Sequence, residues 1–143
     1  RIFSPLGMHS TVMETDPSGT FVGSSYSYGS ARDWARFGLL YLNDGVWDGH
    51  RVLPEGWVEY GVTPTAGAPR QEYGAHWWLN AGGRFPGIPR DEFRASGYEG
   101  QFVMVVPSRN AVIVRLGQTP GDGFDSVAFE AAVLAALPDD NQG

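Results

Sequence analysis

The chain of 143 residues contains no cysteine and no lysine, and all ten of its basic residues are arginines. The absent cysteines exclude disulfides, thiolate metal sites and a cysteine nucleophile, and they leave the redox compartment open. The absent lysines exclude a P-loop, a Schiff base and a Ser-x-x-Lys nucleophile within these residues. No apolar run approaches the roughly 20 residues that span a bilayer, so no membrane span is expected. Charge is scarce as well, at 18% of residues against about 25% in ordinary globular chains. The net charge of −6 disfavours nucleic acid, whose phosphates need a positive face.

Several catalytic signatures are absent too. There is no Gly-x-Ser-x-Gly elbow, so an α/β-hydrolase nucleophile is not signalled. His9, His50 and His76 stand alone, without the paired spacing that zinc requires. His9 and His50 read as turn residues, and His76 as a strand residue beside Trp77. No acidic run has the spacing of a calcium loop. Neither a metal nor a cofactor is expected.

What the chain does have is turn formers and a core. It carries 20 glycines and 10 prolines, close to twice the usual share of about 7% and 5%. With 42% hydrophobic residues, it is a turn-rich globular chain rather than a disordered one. Its length suits one domain, or one large piece of a bigger one. The start at Arg1, without an initiator Met or a signal segment, raises the expectation of a processed product or a fragment.

Residues 1–29 are broken by Pro5, Gly7, Pro17, Gly19, Gly23 and Gly29 and read mostly as loop. Ser30 stands three residues before Asp33, a helix N-terminal pattern. Ala31, Trp34, Ala35, Gly38, Tyr41 and Leu42 then recur at helical spacing, with Asp33 off the stripe, until Asn43-Asp44-Gly45. Val46–Leu53 predicts a small hairpin around Asp48-Gly49. Pro54 suits the start of a short helix to about Tyr60. Beyond it the period changes. Tyr73–Asn80 and Phe93–Gly97 read as strands, and Gln101–Val106 and Ala111–Leu116 as a hairpin about Pro107–Asn110. The run Phe102–Val106 does not alternate, which places it centrally in a sheet covered on both faces. Phe124, Val127, Ala128, Ala131, Leu134 and Ala135 predict a last helix, with Glu130 off its stripe. That helix ends near Pro138 and docks on the sheet, with 139–143 a tail.

The sum is an α+β arrangement of helices, three or four antiparallel strands and a terminal helix. A division into 1–72, part of a helical subdomain, and 73–138, the strands and last helix, follows from the change of period.

The chemically informative stretch is Phe93–Pro107. A strand ends in Ser96-Gly97, a glycine-flanked turn follows, and an apolar strand returns. An ordinary glycine hairpin accounts for this pattern. So does a turn whose small residues let a ligand approach the backbone, where an exposed N–H binds an oxyanion. Trp77 and Trp78 are candidates for a cleft wall, with core packing the competing role for at least one of them. Asp122 and Asp125 read as charges at the start of the last helix.

Taken in order, the motifs resemble the C-terminal half of the serine β-lactamase and penicillin-binding-protein family, of class C and esterase type. Phe3-Ser4-Pro5-Leu6-Gly7-Met8 is similar to the family's "F-x-P-L-G-M" segment. Tyr28–Leu40 resembles its "G-x-x-S-T-A-x-D-L-A-R-F" helix, and Gly45–Pro54 the short "G-x-x-x-G-x-R-V-L" insertion that follows. Ala95-Ser96-Gly97 stands where the third motif, Lys-Thr-Gly or a variant, is found. Asn110–Leu116 matches the last strand and Phe124–Leu137 the terminal helix. Gly97–Gln101 and Trp77-Trp78-Leu79 look most like the branch containing 6-aminohexanoate-dimer hydrolase and related amidases and esterases.

The resemblance implies the C-terminal part of a β-lactamase/transpeptidase-like fold that transfers an acyl group through a serine. It implies that the Tyr98 backbone N–H is one oxyanion donor. Ala95, Ser96, Gly97, Glu99, Trp77 and Asp122 are then candidate substrate contacts. The Ser-x-x-Lys serine and lysine and the Tyr-x-Asn tyrosine lie before "F-x-P-L" in this family, so their expected partner is the N-terminal half of the same fold. Tyr26-Ser27-Tyr28 only superficially resembles Tyr-x-Asn. Ala95 replaces the third-motif lysine and removes a cationic carboxylate site, which favours neutral amides or esters over penicillin-like acids. Arg94 does not replace it, since strand alternation sends its side chain to the opposite face. By itself the chain is expected to be inactive, and an uncovered sheet edge makes its self-association an expectation. A non-catalytic binding module and an α+β domain of merely similar architecture are the rival readings.

Overall fold

A computed structural model describes residues 2–121 and 123–138. Its centre is a four-stranded antiparallel sheet in the order β5 (Trp78–Leu79), β6 (Phe93–Gly97), β7 (Gln101–Val106), β8 (Ala111–Arg115). The register pairs Phe93 with Val105 and Gly97 with Gln101, then Val106 with Ala111 and Phe102 with Arg115. Asn110 adopts a left-handed conformation that closes the 3₁₀ turn Pro107–Arg109 between β7 and β8. As the unbroken apolar run implies, β7 lies inside the sheet, and Met104, Val105 and Val106 are fully buried.

On one face lies α1 (Ala31–Leu42). Ser30 caps it by accepting from the Asp33 N–H at 3.2 Å. The helix approaches β7 and β8 closely because Gly38 has no side chain. A Cβ there would stand 2.5 Å from Val112 and 3.1 Å from Val103. Around this contact Trp77, Leu79, Phe93 and Val105 form an apolar cluster with Phe37 and Tyr41. The opposite side of α1 is covered by Leu6, Met8, Leu53 and Val58, anchored on the fully buried Leu40. Asp33 belongs to this packing rather than to an exposed face. Its carboxylate accepts from the Ser10 hydroxyl at 2.5 Å, the Ser10 N–H at 2.9 Å and the Thr11 hydroxyl at 3.3 Å. The Ser10 hydroxyl bond above all holds its pKa below the ordinary carboxylate value.

On the other face lies α3 (Ser126–Ala136), capped by the Asp125 carboxylate, which accepts from the Ala128 N–H at 2.9 Å. Leu134 joins Ile88, Met104, Val106, Ala111 and Ile113 in the second core. The helix is rotated relative to the expected stripe. Ala128 and Ala135 are exposed, while Glu130 is fully buried. The cause is Arg94 of β6, whose guanidinium donates to Glu130 at 2.5 Å and to Glu92 at 2.6 Å. The same guanidinium lies 3.8 Å from the centre of the Phe85 ring. Arg109 donates to the Leu134 carbonyl at 3.0 Å, a cation at the end of α3 where the helix dipole favours one.

Around this frame are three smaller elements. β1 (Val12–Met13) and β2 (Ser27–Tyr28) form a short hairpin inside the stretch expected to be loop. β3 (Val46–Trp47) and β4 (His50–Arg51) form the expected hairpin, with Asp48 and Gly49 both at positive φ as a type I′ turn demands. α2 spans Trp57–Val62 rather than starting at Pro54. Gly56, left-handed at φ +73°, interrupts any helical path from the proline. The aromatic strand is likewise cut to two residues, because His76 is left-handed at φ 69° and turns the chain between Tyr73 and Trp78.

Candidate functional site

The site is built from the free end of β6. β5 pairs only with Phe93 and Arg94, so among the described residues Ala95, Ser96 and Gly97 have β7 on one side and no strand on the other. An unpaired strand edge presents backbone N–H and C=O groups to whatever lies beside it. Alternation places Ala95 half-buried with Phe93 on the α1 face. Ser96 and Gly97 are exposed. The chain then turns through Tyr98, Glu99 and Gly100 before pairing resumes at Gln101. Tyr98 stands at the tip and is 86% exposed. Among the described residues its N–H has no hydrogen-bond acceptor.

Glu99 and Gly100 both have positive φ, 58° and 81°. A non-glycine residue there needs support from its surroundings, and the last strand supplies it. Arg115 donates to the Gly100 carbonyl at 2.5 Å and to the Glu99 carbonyl at 3.3 Å. Its other nitrogen reaches the Thr119 hydroxyl at 2.6 Å, while the Phe124 ring lies 3.8 Å beneath the guanidinium. The Thr119 N–H donates to the Glu99 carbonyl at 3.1 Å. The Gln101 amide donates to the Gly117 carbonyl and accepts from the Gly117 N–H at 3.0 Å. Two backbone carbonyls of the turn are thus consumed by Arg115, while the Tyr98 N–H is left open. This brace was not foreseen from the sequence. The signal lay in the hairpin register, which counts Arg115 opposite Phe102, beside the turn.

The structure separates the two tryptophans. Trp77 is 4% exposed and packs among Tyr41, Phe93 and Phe37, with ring centres 4.7, 5.0 and 6.1 Å away. It is a core residue, and the expected substrate contact at Trp77 is corrected accordingly: a buried ring offers no surface to a ligand. Trp78 is 36% exposed, opposite Arg94 across the β5–β6 pair. It lies under the Arg84 guanidinium at 4.9 Å. With Arg70, Glu72 and Arg84 it lines an open groove of about 770 Å³. Asp122 lies outside the described residues. Among those described, no group of three or more His, Asp or Glu side chains converges as metal ligands, and no helix is long and apolar enough to cross a membrane.

The beta-lactamase family model matches residues 1–137 of this architecture. The chain belongs to the beta-lactamase family. It is 33% identical over 102 residues to the 6-aminohexanoate-dimer hydrolase of Paenarthrobacter ureafaciens, a match covering 64% of this chain and 24% of that protein. A Bacillus anthracis protein assigned as a 6-aminohexanoate-dimer hydrolase superposes with a TM-score of 0.68 at 27% identity, over 89% of this chain and 34% of that one. A penicillin-binding-protein homologue from Caulobacter crescentus superposes with a TM-score of 0.75. At 16% identity, over 95% of this chain and 50% of that one, it shares the fold. The chain therefore spans about a quarter of the curated relative it matches and about a third of the Bacillus protein. The beta-lactamase-like fold expected from the motifs is the fold observed, and β6 carries Ala95-Ser96-Gly97, the residues expected at the third-motif position. Within these residues that strand is one open wall: no residue of 95–101 lines either the groove beside Trp78 or the hollow at Tyr41, Leu79 and Phe93.

Proposed function

We propose that this chain is the third-motif wall of a serine hydrolase that cleaves an amide or ester through an acyl-enzyme. The observation that carries the reading is the end of β6: a free strand edge at Ala95–Gly97 running into an open, braced Tyr98 N–H. The substrate acyl group lies along that edge, and its carbonyl oxygen meets the Tyr98 N–H. When the carbonyl becomes tetrahedral, this donor stabilises the developing oxyanion. Loss of one such donor costs about 3 kcal/mol in comparable sites. The Arg115 brace keeps the donor in place before the charge develops, so no reorganisation is needed at that moment. Ser96, Gly97 and Glu99 lie along the same edge and turn as substrate contacts.

The nucleophilic serine, the lysine and tyrosine that take its proton, and the second oxyanion N–H come from a further stretch of β-lactamase-fold chain bearing Ser-x-x-Lys and Tyr-x-Asn. This chain without that stretch is inactive, because it has no lysine with which to activate a serine. Ala95 in place of a cation leaves nothing at that position to bind a carboxylate, which favours neutral amides and esters. The relatives named 6-aminohexanoate-dimer hydrolase support the amide side of that choice.

The reading is tested by supplying a segment that carries Ser-x-x-Lys and measuring p-nitrophenyl ester cleavage. Activity should appear only with both pieces, together with a serine-bound acyl group detectable by mass. If the longer protein containing these residues lacks Ser-x-x-Lys and never acylates, the non-catalytic binding module replaces the hydrolase.

A further inference from the structure

The hydrolase reading leaves the most heavily charged part of the interior unused. Glu92, Arg94 and Glu130 are 1%, 2% and 0% exposed. One guanidinium serves two carboxylates, at 2.6 Å and 2.5 Å. The second oxygen of each carboxylate, Oε2 of Glu92 and Oε1 of Glu130, has no partner among the described residues. Two buried carboxylates facing one buried cation leave a surplus negative charge, and a low-dielectric interior tolerates that poorly. A single proton on one of the unpartnered oxygens removes the surplus and leaves Arg94 fully paired.

We infer that the Glu92–Arg94–Glu130 cluster retains one proton at neutral pH and works as a pH-sensitive clamp between α3 and the strand that carries Ser96 and leads into Tyr98. The placement gives the clamp its consequence. Arg94 is two residues before Ser96 on β6, and Glu130 is in the middle of α3, so loosening the cluster frees the third-motif strand from the helix behind it. Few other groups face it. The Ser126 hydroxyl from α3 lies 3.4 Å from Arg94, and Phe85 stacks on the guanidinium. Met104 is the cross-strand neighbour on β7. The charge of Asp91, next to Glu92, adds repulsion, although its carboxylate is held by the Ser108 N–H and hydroxyl at 2.6 and 2.8 Å. Burial, opposed by Arg94, pushes Glu92 up to about 7, and burial raises Glu130 as well. The proton belongs to the pair rather than to either residue.

The direction of the pH effect follows. The folded chain holds a proton that the unfolded chain releases at the ordinary carboxylate value of 4.5. The stabilisation is therefore full below about pH 4.5 and is lost as pH rises through about 7. The hydrogen-bonded Asp33 and Asp16, whose pKa values are lowered, act in the opposite sense and only at more acidic pH.

The test is denaturant unfolding of the 143-residue chain between pH 4.5 and 7.5, for the native sequence, Glu92→Gln and Glu130→Gln. ¹³C NMR of labelled Glu carboxyls follows the proton directly. In the native chain the folding constant should fall with rising pH, on the order of 100-fold over this range. Either glutamine variant needs no proton and should show a markedly flatter profile, with the larger benefit at pH 7.5. One glutamate carboxyl should still be protonated at pH 6. Glutamine variants with the same slope as the native chain would overturn the clamp. So would all glutamate carboxyls titrating below pH 5.5.

Discussion

On the α1 side of the sheet, Gly38 lies against Val103 and Val112, and apolar Trp77, Phe93 and Val105 fill the layer, while the buried Asp33 is held by Ser10 and Thr11. On the α3 side, Met104, Ile113 and Leu134 make an equally apolar layer, yet Glu130 descends through it onto Arg94. The first face is held by shape and area. The second adds a charge cluster whose balance depends on a proton. The strand between them, β6, shows both: Phe93 and Ala95 point toward α1, while Arg94 and Ser96 point toward α3. The proposed oxyanion role needs the backbone held still at Ser96 and Tyr98, and the apolar packing between α1 and the sheet provides that hold independently of pH.

The comparison can be broken most severely at Trp77. Trp77→Ala empties the space among Phe37, Tyr41 and Phe93, and truncations of this size cost about 3–5 kcal/mol. Denaturant titration should show that loss equally at pH 5 and pH 7.5. A loss confined to one pH would show that the two faces are not distinct. Gly38→Ala tests the same face from the helix. Its new methyl group meets Val112 at 2.5 Å, and overpacking of this kind costs about 1–3 kcal/mol, again without pH dependence. Ser30→Ala removes the cap of α1 and should cost about 1 kcal/mol, read as a small drop in Tm. A loss as large as that at Trp77 would mean the α1 face depends on its cap rather than on its packing.

The apolar face was legible in the sequence because its signals are periodic. The α1 stripe, the unbroken Phe102–Val106 run and the β7–β8 turn each repeat a pattern over several residues, and all three elements stand within a residue of their expected bounds. The charged face was not. A helical stripe counts apolar residues, so it placed Glu130 off the buried side, whereas an arginine 36 positions earlier draws it in. Pairing over such a separation leaves no local trace. Asn80 is similar. It is fully buried, and its side chain serves the backbone of Phe85, Ile88 and Pro89, organising the whole connection from β5 to β6. At the candidate site, motif order singles out Ala95-Ser96-Gly97 and Tyr98, and these residues lie at the end of β6 and in the turn after it. The demotion of Trp77 and the Arg115 brace required three-dimensional pairing.

The most direct measurement compares two substitutions at Tyr98 in a chain that joins these residues to a segment bearing Ser-x-x-Lys and Tyr-x-Asn. Tyr98→Ala keeps the backbone N–H and removes an exposed ring, whereas Tyr98→Pro removes the N–H itself. If that N–H stabilises the oxyanion, ester-cleavage kcat should fall about 100-fold or more in Tyr98→Pro and stay within a few-fold of the parent in Tyr98→Ala, with both variants folded. Equal activity in the two variants would contradict the account.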